Sequence, residues 1–179
     1  MPAPRFLPDA VFDPAPAGTW VRLVTVGTFV VVVAIMAAAV TRMLFEPHPP
    51  PWPVVVSLGV APALVVAFGF AASLQRYRIA GMKLQIERRF GKVRFSLEGL
   101  QSALPDREAL RGAGKIVGND GLRAVAGRFR SKRLGRFHAY VTDNEHAVVL
   151  RWPDRCLVIS PQQHSLFGET VRKRAGLSR

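Results

Sequence analysis

The chain has 179 residues, 49% of them hydrophobic, and a formal charge of +13 at pH 7. Its single cysteine, Cys156, excludes an internal disulfide framework and a cysteine-based zinc site, and suits a reducing compartment. Only Arg5, Arg22 and Arg42 precede Gln75, balanced by Asp9, Asp13 and Glu46, so the whole positive excess belongs to the last 104 residues, enough for one small domain with its own core.

In chain order, residues 1–18 carry Pro2, Pro4, Pro8, Pro14 and Pro16. These remove backbone donors and fix φ, which predicts a disordered Pro-rich tail. A first transmembrane helix is expected over 19–45, because Leu23 to Thr41 holds no charged residue and matches the ~20 residues that cross a bilayer. Trp20 and Arg22 suit one headgroup level and Arg42 the other. A signal peptide is the rival reading, since Ala37-Ala38-Ala39 resembles a cleavage site. Against it, the apolar run exceeds the usual ~7–15 residues and lacks a compact basic start.

Residues 46–51 are too short and Pro-rich for anything but an external turn. A second span is expected over 52–75, again without charge, with Pro62 freeing the carbonyl of Leu58 and kinking the helix. Gly59, Ala63, Ala67 and Ala71 recur every four residues as a smooth packing stripe, for the first span or for a second copy. Neither span contains Asp, Glu, Lys or His between its ends, which argues against a transporter or channel. Arg76, Arg78, Lys83, Arg88, Arg89, Lys92 and Arg94 crowd the downstream flank, so the positive-inside rule puts both termini in the cytoplasm and the turn outside.

After Gln75 the hydrophobic period changes to two. Met82, Leu84 and Ile86 alternate with polar residues, as do Val93, Phe95 and Leu97 after Arg89-Phe90-Gly91, predicting a hairpin with one apolar face. The Gly-rich stretch 112–121 allows a short strand at Lys115 to Val117. Further strands are expected at Leu122–Arg130, Gly135–Thr142, Ala147–Trp152 and Arg155–Ile159, an antiparallel series joined by tight turns. Ser160-Pro161-Gln162-Gln163 then reads as a helix start with Ser160 as cap. Leu166, Phe167, Thr170 and Val171 share a face, and Arg172, Lys173 and Arg174 precede Gly176 at the end.

A strand-rich module of about 100 residues closed by one helix and fused to a membrane hairpin resembles the bacterial pleckstrin-homology (PH-like) domain proteins. The likeness is carried by GRFRSKRLGRFHAYVTDNEHAVVLRWPDRCLVISPQQHSLF (127–167), with YRIAGMKLQIER and VRFSLEGLQSAL as opening strands. It implies a mainly-β PH-like domain over 76–179, with about seven antiparallel strands and one C-terminal α-helix; joined to the two-helix transmembrane hairpin read from the apolar runs, this domain is expected at a bacterial inner membrane. It implies binding or scaffolding, with no fixed ligand and no catalytic signature.

Two basic groups are candidate lipid- or partner-binding sites. Arg88, Arg89 and Lys92 occupy the first hairpin turn, where eukaryotic relatives of the resembled family often bind phosphoinositides. Arg128, Arg130, Lys132, Arg133 and Arg136 form the denser cluster. An anionic leaflet attracts such residues by roughly 1 kcal/mol each. The alternative is a face that is merely solvated. Expected partners are the lipid bilayer, anionic lipid headgroups, and a membrane protein or second copy. Phe129 and Phe137 interleave the cluster without any nucleic-acid reading motif, so nucleic acid is not expected. No cofactor, metal or catalytic residue is expected: His138, Asp143, Glu145 and His146 straddle a turn, and Ser160 beside His164 is committed as a cap. The function expected is a membrane-anchored, non-enzymatic interaction or scaffolding module. The alternative is a structural subunit that assembles with other membrane helices through the hairpin.

Overall fold

The computed structural model describes residues 8–45, 51–71, 73–120 and 124–177. Strand β1 (Ala10–Phe12) leads into two apolar helices, α1 (Thr19–Phe45) and α2 (Trp52–Ala71). The meander β2 (Leu74–Ala80), β3 (Lys83–Arg88) and β4 (Lys92–Ser96) follows. Its period-two pattern puts Tyr77, Ile79, Leu84 and Ile86 on the buried face, paired Tyr77 to Ile86 and Ile79 to Leu84. β1 lies antiparallel on β2 and completes a four-stranded sheet in the order β1-β2-β3-β4.

The second sheet has six strands: β5 (Ser102–Pro105), β6 (Gly114–Asp120), β7 (Val125–Ser131), β8 (Gly135–Val141), β9 (Val148–Arg151) and β10 (Cys156–Ile159), in the order β5-β9-β10-β8-β7-β6. One face packs on the four-stranded sheet and on helix α3 (His164–Ala175), around Tyr77, Leu150, Leu157 and Phe167. The other face is covered by Ala109 and its neighbours and by Val21 of α1, over Val125, Phe137, Val141 and Val158. Burial on both faces explains why β10, CLVI, is apolar throughout rather than alternating.

Several expectations are corrected. The described part of the tail, from Pro8 onward, is ordered against the β domain: Phe12 is buried with its ring edge-on to Phe167 at 5.1 Å, and Pro14 bridges Pro161. Its prolines fall where no backbone donor is needed. Among the described residues α1 stands as the one candidate span, at 27 residues and about 40 Å against a ~30 Å core. The hairpin expected from the sequence is not shown, α2 being shorter by seven residues. The second helix ends at Ala71 and β2 already begins at Leu74, so it does not reach Gln75. The turn at 46–50 lies outside the described residues.

Ten strands are present among the described residues rather than about seven; β1 lies ahead of the domain expected, and the short strand allowed at 115–117 extends to β6 (Gly114–Asp120). Nor is every pair antiparallel: β10 inserts between β9 and β8 and runs parallel to β8. The final helix starts at His164, with Gln163 making no side-chain cap bond. Ser160 cannot cap it, because its hydroxyl accepts the Thr142 N–H at 2.8 Å. Gly176, at φ 70°, ends the helix in the left-handed conformation and its N–H returns to the last turn.

Candidate binding surfaces

The helices join the domain at one end. Gly18 N–H donates to the Thr142 carbonyl at 2.9 Å, and Val21 is buried beside Val125 and Val141. A buried network fixes this junction: Thr142 Oγ1 donates to the Ala15 carbonyl at 2.6 Å, Ala15 N–H to the Ser160 carbonyl at 2.8 Å, and the Tyr77 hydroxyl to the Tyr140 carbonyl at 2.8 Å. Burial pushes the Tyr77 phenol well above its ordinary value, so it remains a donor. Downstream of α2, Leu74 pairs with Arg88.

That pairing brings the β3–β4 turn to the foot of the helices. Gly91, at φ 89°, lets the chain reverse, and Arg88 N–H donates to its carbonyl at 3.1 Å. Arg89 N–H donates to Ser73 at 3.0 Å while its guanidinium lies 4.0 Å from the ring centroid of Phe70, near the end of α2. Lys92 Nζ is 3.1 Å from Glu87, so this cation is partly neutralised. Between them Phe90 is 68% exposed.

The denser cluster is the β7–β8 hairpin, and its register separates its members. Arg128 faces His138 and Arg130 faces Arg136 across the ladder, while Lys132 and Arg133 sit at the hairpin tip. Arg133 pairs with Asp106 at 2.6 Å. Among the described residues no carboxylate lies within ion-pair distance of Arg128, Arg130 or Arg136. Two like charges directly opposite across strands are destabilising.

The two groups meet at one point. The Arg88 guanidinium lies 6.0 Å from the Tyr140 ring centroid, and the charges of Arg88 and Arg128 both act to lower the phenol, although burial wins and raises it. Phe95 of β4 packs edge-on to His138 at 6.0 Å and to Tyr140 at 6.4 Å. His138 is thus half-buried. Its imidazole is held below its ordinary value of 6.5, by burial first and by Arg128 second.

On the helix stripe, a Cβ at Gly59 would lie 3.9 Å from Met36 Sδ of α1, whereas Ala63 and Ala67 are exposed. The side chain of Ala71 lies outside the described residues. His146 Nδ1 is 2.6 Å from Asp143 Oδ2 and its ring abuts His164, but no group of three metal-ligating side chains occurs among the described residues. The sequence reading passed over Phe90 and Arg155. Both carry an audible signal only once the turn positions are known: one aromatic between cations, and one Arg beside Trp152, 4.8 Å from its ring centroid.

In comparison with known proteins, the family model described as Bacterial PH domain matches residues 75–175. No curated protein and no solved structure matches the chain.

Proposed function

The chain belongs to the bacterial PH domain family, and on that premise we propose that it is a membrane-anchored, non-enzymatic interaction module. PH-like domains are typically interaction modules rather than catalysts. In this reading α1 and α2 cross the inner membrane as a hairpin. The 20 residues of α2 carry no charge and extend about 30 Å, the thickness of the hydrocarbon core. Both chain ends lie in the cytoplasm, held there by the basic residues from Arg76 to Arg94.

The domain docks on the anionic leaflet through the β3–β4 turn. The observation that carries this reading is Phe90, exposed at the turn tip between Arg89 and Lys92, with Arg89 stacked on Phe70 at the foot of α2. An apolar ring among cations at that level is the composition of an interfacial anchor, and each cation near the surface contributes roughly 1 kcal/mol. The β7–β8 hairpin fits this role less well, because its tip at Lys132 and Arg133 lies at the opposite end of β8 from the helix junction at Thr142.

The test uses the full chain with Cys156→Ala and Phe90→Cys in liposomes at about 0.15 M salt. Maleimide labelling of position 90 should be at least about fivefold slower in phosphatidylglycerol than in phosphatidylcholine, an effect abolished by Arg89→Gln with Lys92→Gln. With the ring replaced by the probe, Arg89 and Lys92 alone draw the turn to the anionic leaflet, so equal rates in the two lipids would refute electrostatic docking by this turn. A second reading, assembly with other membrane helices, draws on the exposure of Ala63 and Ala67. Ala67→Leu should then disrupt assembly while leaving the labelling contrast intact.

A further inference from the structure

A cleft of about 420 Å³ opens where β7, the start of β8 and the β9–β10 turn come together. That volume lies within the range of small-molecule sites. Three guanidinium side chains from three separate segments line it: Arg128, Arg136 and Arg155. Arg155 is held in place, its Nη2 donating to the Ser96 carbonyl at 3.2 Å and its guanidinium lying over Trp152. Arg128 and Arg136 have no carboxylate partner among the described residues, and Asp154, the one carboxylate in the lining, pairs with none of the three. Phe129 and Phe137, ring centroids 6.0 Å apart, form a buried apolar floor with Cys156.

Three like charges gathered over an apolar floor repel one another in a region of reduced dielectric. A multivalent oxyanion removes that repulsion, and guanidinium forks match phosphate and carboxylate geometry. We propose that this cleft binds a small oxyanion, carrying phosphate or carboxylate groups, from the aqueous phase. No cation of the β3–β4 turn lines the cleft. Arg136 stands at the opposite end of β8 from the helix junction at Thr142, six residues along the strand. On that placement the ligand proposed is a soluble anion rather than a headgroup of the anchoring membrane.

The experiment titrates pyrophosphate and citrate into the full chain in neutral phosphatidylcholine nanodiscs at about 0.15 M salt, read by calorimetry and by alkylation of Cys156, the only thiol. Binding of at least one anion is expected, with slower alkylation. Arg128→Gln and Arg136→Gln should each weaken it at least tenfold, while Lys132→Gln at the hairpin tip should leave it within twofold. Three outcomes overturn the proposal: no binding of either anion, equal loss in all three variants, or protection of Cys156 by phosphatidylglycerol nanodiscs alone, which would make the ligand a lipid headgroup. None of these touches the labelling contrast at position 90, so the two readings fail independently.

Discussion

Ser160 has no exposed surface, and its hydroxyl oxygen accepts the Thr142 N–H at 2.8 Å while lying 3.1 Å from Thr142 Oγ1. Ser160→Ala leaves that N–H buried without an acceptor and should cost about 1–3 kcal/mol, read as a lowered unfolding midpoint in detergent. A change below about 0.5 kcal/mol would show that the network is not what fixes the junction. The residues Ser160-Pro161-Gln162-Gln163 satisfy a helix-start pattern, and only a strand 18 positions earlier decides that the serine serves Thr142 instead. Local pattern could not reveal that. His138 gives a second test. Its folded value is held below 6.5, by burial and then by Arg128, so the unfolded chain takes up a proton that the folded one resists. Its contribution is fully present above 6.5 and is lost as pH falls through the folded value. The unfolding midpoint should drop between about pH 7.5 and 5.5, and His138→Gln should flatten that limb, since most carboxylates titrate lower.

Elements that alternate cleanly were legible: β3, β4 and β8 fall where their period-two patterns put them. β6 was obscured because its glycines erase any side-chain period. Gly118 and Gly127 face each other across β6 and β7 at φ 137° and 145°, and a Cβ on either would run into the carbonyl oxygen of the facing strand. Gly127→Ala should therefore detach β6, seen as a loss of hydrogen-exchange protection over 114–118 with β8 still protected. Retained protection there would mean that the strands can slide apart without separating. β1 was missed for a different reason. Its three residues carry too little pattern, and its stability comes from Phe12 sealing the core beside Phe167 and from the backbone bonds of Ala15 and Gly18. Phe12→Ala should cost about 3–5 kcal/mol by denaturation, and a fragment beginning at residue 76 should be less stable than the full chain, lacking both β1 and Leu74. In α3 the apolar face was half right: Phe167 and Val171 are buried, but Leu166 points to solvent because Gly168 packs inward instead.

For the whole molecule, composition located the charge but not its arrangement. Counting Lys and Arg finds two basic clusters; the register of β7 on β8 and the pairing of Leu74 with Arg88 divide them into a turn at the foot of the helices and a cleft lined by Arg128 and Arg136. Pairing between distant strands is a tertiary property and leaves no mark on a local pattern. The apolar helices present the reverse case, since their length and apolar character are fully visible in sequence while the described side chains are largely uncovered: in α1, among the described residues, only Val21 and Ala39 are buried. An exposed apolar surface of that kind marks a site of membrane or protein contact. Our account rests on a hairpin that leaves the β domain in the cytoplasm, and phosphatase fusions in a bacterial host test it most directly. We predict activity for a fusion after Pro51, on the outer side, and none for a fusion after Leu177. An active fusion at Leu177 would put the β domain outside the cytoplasm and contradict the docking surface, the hairpin and the proposed function together.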